Sequence, residues 1–147
     1  MILFHEVPIT CINQAATEYQ VPAALIMAII QVEGGQVGLA MPNTNGSFDL
    51  GVMQINTAWA PSFEAKGYRL SDIQNNPCKN VDVGTWILSQ CLNHDANNLM
   101  VAVGDYHSHT PILNQAYASK VLDDYQVIHD ALDPVLTQSC KRAGQIC

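Results

Sequence analysis

The chain has 147 residues, of which 48% are hydrophobic, so it is long enough for one domain with a sizeable core. Its net charge of −7 leaves few cations to neutralise phosphates, which argues against nucleic acid or anionic lipid as a partner. No run of about eighteen apolar residues is present, so membrane insertion is not expected.

The first part of the chain predicts two helices. In residues 11–20, apolar side chains recur on one helical face. Residues 22–33 carry a stronger apolar stripe, and Pro22 suits the first turn of a helix because no backbone N–H is needed there. The glycine pair Gly34 and Gly35 is typical of a helix end.

The helical period disappears between residues 36 and 56. The stretch NTNGSFDLGVMQIN contains an Asn-Gly turn signal and then alternation over 52–56, which predicts a short β-hairpin or extended loop at about 44–56. After a short helix over 57–67, broken by Pro61, the stretch SDIQNNP predicts a turn.

Helical patterning then resumes until the C-terminal region. Three more helices are predicted, over 80–92, 96–107 and 114–132, and residues 133–147 are predicted to form a C-terminal tail. The sequence contains no repeat, low-complexity tract or linker. It therefore predicts a mainly α fold in a single domain, 1–147.

Glu33 is the residue that most strongly suggests chemistry. At about 100° per residue, its side chain lies over Ile26 and between Ile29 and Ile30, on the buried face of the helix. No Lys or Arg precedes Lys66 in the chain, so no local ion pair explains it. Apolar surroundings raise the pKa of a carboxyl group, and a protonated acid near neutral pH can serve as a general acid and then as a base. The alternative is a side chain on a fraying last turn that swings into water.

The five cysteines bear on the compartment. They form no CxxC pair, and no zinc-ligand spacing is present, so a metal site is not expected. Two interpretations remain: buried free thiols in a cytosolic domain, or disulfides in an exported one, and the second is favoured because bridges would fix loose segments. The start MILFHEVPIT lacks the features of a secretory signal, which is consistent with a cytosolic protein or with a mature form.

Four motifs together resemble a known family. In order they are AATEYQVPAALIMAIIQVEGG, NGSFDLGVMQIN, AVGDYHS and YASKV, within a match from about Cys11 to Val127. The combination resembles the lysozyme-like lytic transglycosylases, especially the small ones that accompany type IV secretion, conjugation and pilus systems. The resemblance implies a lysozyme-like helical domain that needs no cofactor.

The resemblance also implies roles for individual residues. Glu33 matches the catalytic acid/base, and Tyr106 matches a tyrosine that orients the acid or the substrate. The remaining matches are residues implied to contact the saccharide: Gly51, Met53, Gln54, Asn56 and Tyr117. Trp59 and Trp86 are left out of this site, Trp86 being more typical of core packing.

The implied reaction is cleavage of the β-1,4 bond between N-acetylmuramic acid and N-acetylglucosamine in peptidoglycan, with formation of a 1,6-anhydro ring. The implied partners are glycan strands and the proteins of a secretion or conjugation apparatus, and the implied location is the periplasm. The resemblance further implies a disulfide between Cys11 and Cys78, and leaves Cys91 to pair with Cys140 or Cys147.

Other interpretations stay open at this point. Asp49 is a possible second carboxylate, as a hydrolytic muramidase requires, although an Asp after NGSF is more typical of a turn-stabilising residue. Two positions depart from the family: Gly34 replaces the usual Ser, and His107 replaces an Asn. The Gly34 change allows for a third interpretation, a module that binds peptidoglycan without cleaving it.

Overall fold

A computed structural model describes the backbone of residues 1–142 and the side chains of residues 1–132. The helices are α1 Ile9–Tyr19, α2 Ala23–Glu33, α3 Ala60–Ala65, α4 Leu70–Asn75, α5 Pro77–His94, α6 Leu99–Asp105 and α7 Pro111–Arg142. The strands are β1 Leu3–Phe4, β2 Val7–Pro8, β3 Ala40–Pro42, β4 Phe48–Leu50 and β5 Ile55–Asn56. A 3-10 turn, Thr57–Trp59, precedes α3. The predicted mainly α fold with a short β-hairpin is therefore confirmed.

The core is built around α2. The predicted apolar stripe is buried, and Ile26 and Ile29 have no exposed surface. Helix α2 packs against α7, and α1 packs against α5. Burial of each large aliphatic side chain contributes roughly 1.5–3 kcal/mol, so the stripe holds α2 firmly in the centre of the fold.

The end of α2 is fixed rather than frayed. Gly34 adopts a left-handed conformation with φ 63°, and its N–H donates to the carbonyl of Ile30. At Gly35, a Cβ atom would lie 2.1 Å from the carbonyl oxygen of Gly51. The glycine pair thus ends the helix directly after Glu33 and lets the turn that begins at Gly51 approach closely.

The small sheet has the antiparallel order β3-β4-β5, with Asp49 paired to Met41 on one side and to Asn56 on the other. The alternation predicted over 52–56 is wrong at its start, because residues 51–54 form a turn and only the last two residues are in a strand. Buried Asn80 on α5 explains this turn. It accepts from Met53 N and donates to the carbonyl of Leu50, at 2.9 and 2.8 Å.

Three other predictions of secondary structure are corrected. The expected turn at SDIQNNP is largely the helix α4, whose first turn is capped by Asp72 accepting from Arg69 N at 2.9 Å. Pro61 lies in the first turn of α3, where a proline is tolerated, and does not break a helix. Helix α7 continues past Pro134 to Arg142, so the helix end predicted at 132 is wrong; that 133–147 form a tail stays a prediction, and 143–147 lie outside the described residues.

Cys11 and Cys78 form a disulfide that joins α1 to the first turn of α5, with a Cα–Cα distance of 5.3 Å, which confirms that predicted pair. Burial raises the pKa of the Cys91 thiol to about 11. The partners predicted for it, Cys140 and Cys147, lie outside the residues whose side chains are described. No helix in residues 1–142 combines the length and apolar character needed to cross a bilayer.

Candidate active site

A cleft of about 750 Å³ is lined by Glu33, by the β3–β5 sheet with the turn after it, and by the connection between α6 and α7. Glu33 is the last residue of α2 and lies on one side of this cleft. The sheet and the α6–α7 connection supply mostly amide, hydroxyl and imidazole groups. The cleft therefore combines Glu33 and two other partly buried carboxyl groups, Asp49 and Asp105, with many neutral hydrogen-bonding groups.

Burial raises the pKa of Glu33 to about 7. A hydrogen bond from Tyr117 lowers this pKa, and the negative charge of Asp49 raises it, both by less than the effect of burial. The hydroxyl of Tyr117 donates to Oε1 of Glu33 at 2.8 Å. Glu33 is thus protonated in a large fraction of molecules near neutral pH and can both donate and accept a proton.

The two tyrosines of the predicted site have different partners. Tyr117, on α7, is only 7% exposed and holds Glu33, as described above. Tyr106 donates to the carbonyl of Met53 at 2.8 Å. The Tyr117 ring stacks on His107 at 4.9 Å and lies nearly parallel to the ring of Tyr106 at 6.4 Å. Tyr117 therefore positions the acid, whereas Tyr106 supports the turn at 51–54.

Two residues expected on the groove wall lie behind it. Met53 is fully buried, and a Cβ at Gly51 would lie 2.3 Å from Nδ2 of Asn80, so neither side chain position faces the cleft. Gln54 and Asn56 do line the cleft, and their contact with a saccharide stays a prediction. Gly51 and Met53 instead allow the turn to pack tightly against α5. This turn presents the side-chain amides of Gln54 and Asn56 to the cleft.

Asp49 does not have the turn-stabilising role that the sequence favoured. The N–H and the hydroxyl of Ser47 in this turn both donate to Oδ1 of Asn45, at 3.0 and 2.6 Å. Asp49 lines the cleft and accepts from Nδ2 of Asn56 at 2.9 Å. Its carboxylate is therefore available to act electrostatically on the cleft, as its effect on Glu33 shows.

Trp59 is the clearest residue that the sequence reasoning missed. It lines the cleft with 36% of its surface exposed, and its ring meets that of Trp86 edge to face at 5.9 Å. Its place three residues after Asn56 of the QIN motif was the signal that could have identified it. The last residue of α6, Asp105, and two residues of the α6–α7 connection, Ser108 and His109, also line the cleft, and the sequence had assigned none of them to the site.

A helical domain with an acid of raised pKa at the end of its central helix, beside a cleft walled by a small antiparallel sheet, has a lysozyme-like arrangement. The chain belongs to the transglycosylase SLT domain family, whose model matches residues 10–127.

Three relatives illustrate this membership. Invasion protein IagB of Salmonella typhimurium is 31% identical over 121 residues, which cover 79% of this chain and 75% of IagB. Protein IpgF of Shigella sonnei is 31% identical over 101 residues, covering 68% and 66%. A peptidoglycan-binding-like protein of Escherichia coli O157:H7 is 36% identical over 86 residues, and the match spans about half its length, 52%.

Proposed function

We propose that the chain is a peptidoglycan lytic transglycosylase that cleaves the β-1,4 bond between N-acetylmuramic acid and N-acetylglucosamine. The observation that carries this proposal is Glu33, an acid of pKa about 7 that Tyr117 holds at the edge of a cleft. Membership of the transglycosylase SLT domain family supports the same activity.

Glu33 would act twice in the reaction. Its carboxyl proton passes to the glycosidic oxygen as the bond to C1 of the muramyl residue breaks, and an oxocarbenium-like centre develops at C1. The resulting carboxylate then takes the proton of the muramyl 6-hydroxyl, whose oxygen bonds to C1 and closes the 1,6-anhydro ring. A pKa near 7 suits both steps, because neither protonation state is strongly disfavoured.

The cleft offers suitable contacts for a glycan. Asn43, Asn45 and Ser47 line it from the turn between β3 and β4, and Gln54 and Asn56 line it from the following segment. Amides and hydroxyls can hydrogen-bond to sugar hydroxyl and acetamido groups. The exposed part of Trp59 supplies an aromatic surface against which a sugar ring can pack.

A hydrolytic muramidase is the second candidate, and Asp49 is the observation that favours it. Its carboxylate lines the same cleft as Glu33 and raises the pKa of that acid. Two carboxyl groups that flank the scissile bond are the usual requirement of glycoside hydrolases. In this case water, activated or positioned with the help of Asp49, would attack C1 in place of the 6-hydroxyl.

Mass spectrometry of the fragments released from purified peptidoglycan separates the candidates. Anhydro-muramyl ends are expected for the transglycosylase, and reducing muramyl ends for the hydrolase. Glu33→Gln is the matched control, because an amide has the same shape but cannot donate a proton to the leaving oxygen. If this variant released as much material as the wild type, both enzyme candidates would be refuted and a binding module would remain.

We also propose that the protein acts in the periplasm and opens the wall locally for a secretion or conjugation apparatus. The disulfide between Cys11 and Cys78 supports an oxidising compartment. The relative IagB is named an invasion protein, which is consistent with an exported machine. Fractionation of cells that express the native gene tests the location. Recovery with the cytoplasmic fraction, with both cysteines open to alkylation, would contradict it.

A further inference from the structure

The two walls of the cleft differ in their titratable groups. The sheet wall carries amides and hydroxyls with one carboxylate, that of Asp49, whereas Asp105–His109 carry a carboxylate, a phenol and two imidazoles. Among the described residues that line the cleft there is no Lys or Arg. His107 and His109 are therefore the side chains of this lining that can become cationic, and they face a cleft that also contains carboxyl groups.

His109 is exposed and contacts a carboxylate. Its side chain is 87% exposed, and Nδ1 lies 3.1 Å from Oδ1 of Asp105. Because a carboxylate only accepts, Nδ1 carries hydrogen in this contact, and Nε2 is the nitrogen that a ligand can reach. Asp105 itself lies within 4.8 Å of ligand atoms of His94 and Asp95.

His107 packs against the tyrosine that holds the acid. Its ring stacks on Tyr117 at 4.9 Å with an interplanar angle of 16°, and the hydroxyl of Tyr117 is bonded to Glu33. The titratable groups next to it are thus Tyr117 from α7 and Tyr106 beside it in the chain, and Glu33 from α2 lines the same cleft. The two histidines place their imidazoles on one wall of the cleft, on the same side as the tyrosine that holds the acid.

We propose that His107 and His109 bind a carboxylate carried by the muramyl residue, so that the cleft selects anionic glycan over neutral glycan. This inference rests on the proposed function. The carboxylate comes either from the lactyl group of a peptide-free strand or from the stem peptide of a substituted strand. Glu33, Asp49 and Asp105 line the same cleft, and an anionic substituent needs a cation there to offset their repulsion.

An imidazole attracts a carboxylate by charge only when it is protonated, so the preference is compared at acidic and at alkaline pH. Ionisation of Glu33, whose pKa is about 7, would add repulsion at alkaline pH. Binding is therefore measured in the Glu33→Gln background, which removes that second titration and prevents turnover. The fluorescence of Trp59, which lines the cleft, reports on occupancy.

Three tetrasaccharide probes test the proposal: neutral chitotetraose, a peptide-free muramyl glycan and a peptide-bearing muramyl glycan. At about pH 5.5, at least one anionic probe should bind about three-fold more tightly than chitotetraose for each imidazole–carboxylate contact, and the gain should be smaller at about pH 8. Which anionic probe gains identifies the lactyl group or the stem peptide as the source. His109→Lys should keep the preference at both pH values.

The variants decide the outcome. In His107→Asn with His109→Gln, the preference at acidic pH should disappear while chitotetraose binding persists. The single variant His109→Gln, at an exposed side chain, should lose part of the preference without any effect on folding. A preference that survives in the double variant, or no preference in the parent, overturns this inference even if the protein cleaves peptidoglycan. If no probe binds to the parent, the proposed function fails as well.

Discussion

The hydroxyl of Tyr117 donates a hydrogen bond to Oε1 of Glu33 at 2.8 Å, although 84 residues separate the two in the chain. Helix α7 supplies the tyrosine and packs along α2, which ends at the glutamate. The bond stabilises the ionised carboxylate, so it opposes the effect of burial on the pKa of Glu33. The pKa of Glu33 is therefore lower than burial alone would make it.

Replacement of Tyr117 by Phe should raise the pKa of Glu33 above about 7, because the bond that favours the carboxylate is lost while burial remains. The alkaline limb of the activity profile should move to higher pH by the same amount. Activity should fall about ten-fold or more, since the acid loses the contact that orients it. The carboxyl carbon chemical shift of Glu33, followed by NMR during a pH titration, measures the pKa directly.

Asp49→Asn is the opposing variant. Removal of its negative charge should lower the pKa of Glu33, because that charge favours the protonated form. The amide can still accept the hydrogen bond from Asn56, so the sheet should be preserved. Shifts of the same sign in the Tyr117 and Asp49 variants would contradict the electrostatic account of the site.

The free energy of unfolding should also depend on the protonation of Glu33. The pKa of Glu33 is raised from 4.5 to about 7 on folding, so the native state binds more protons than the unfolded state between these values. The free energy of unfolding therefore falls as the pH rises through this interval. Glu33→Gln should be about 2 kcal/mol more stable than the wild type at about pH 8 and equally stable at about pH 4. Urea unfolding at both pH values measures this, and a more stable wild type at pH 8 would refute it.

Substitutions of Gly34 and Gly35 should affect stability and activity to different extents. Gly34 has φ 63° and open space where a side chain would project, so Gly34→Ser should cost about 1 kcal/mol and leave activity close to that of the wild type. Gly35→Ala should cost about 3 kcal/mol and abolish activity, because its Cβ would lie 2.1 Å from the Gly51 carbonyl. Thermal unfolding and peptidoglycan release measure both. A large loss of activity in Gly34→Ser alone would contradict this assignment.

Much of the helical framework could be predicted from the sequence because it depends on local periodicity. The buried stripe of α2 follows from the spacing of Ile26, Ile29 and Ile30, and the same spacing places Glu33 on that face. Helix α4 was missed because its six residues are too few to show a period, and it depends on the cap supplied by Asp72.

The rest of the site depends on contacts between distant parts of the chain. Asn80 on α5 holds the turn at 51–54. The alternation of apolar and polar residues in this segment therefore did not indicate a strand there. Asn45, and not Asp49, accepts the hydrogen bond from Ser47 N that stabilises the turn, and Asp49 lines the cleft. Both residue types suit this role in a turn, so the sequence alone does not decide between them. Trp59 ends the 3-10 turn Thr57–Trp59, and it lines the cleft together with Asn56, the residue before that turn.

The disulfide between Cys11 and Cys78 should contribute strongly to stability, since it closes a loop with a sequence separation of 67 residues. Chain entropy alone gives about 4 kcal/mol, so replacing both cysteines by serine should lower the melting temperature by about 10 °C. Differential scanning calorimetry of the wild type and the double variant measures this. Dithiothreitol then tests the second predicted bridge: a further decrease in the double variant is expected if Cys91 pairs with Cys140 or Cys147. An unchanged melting temperature would refute that pairing.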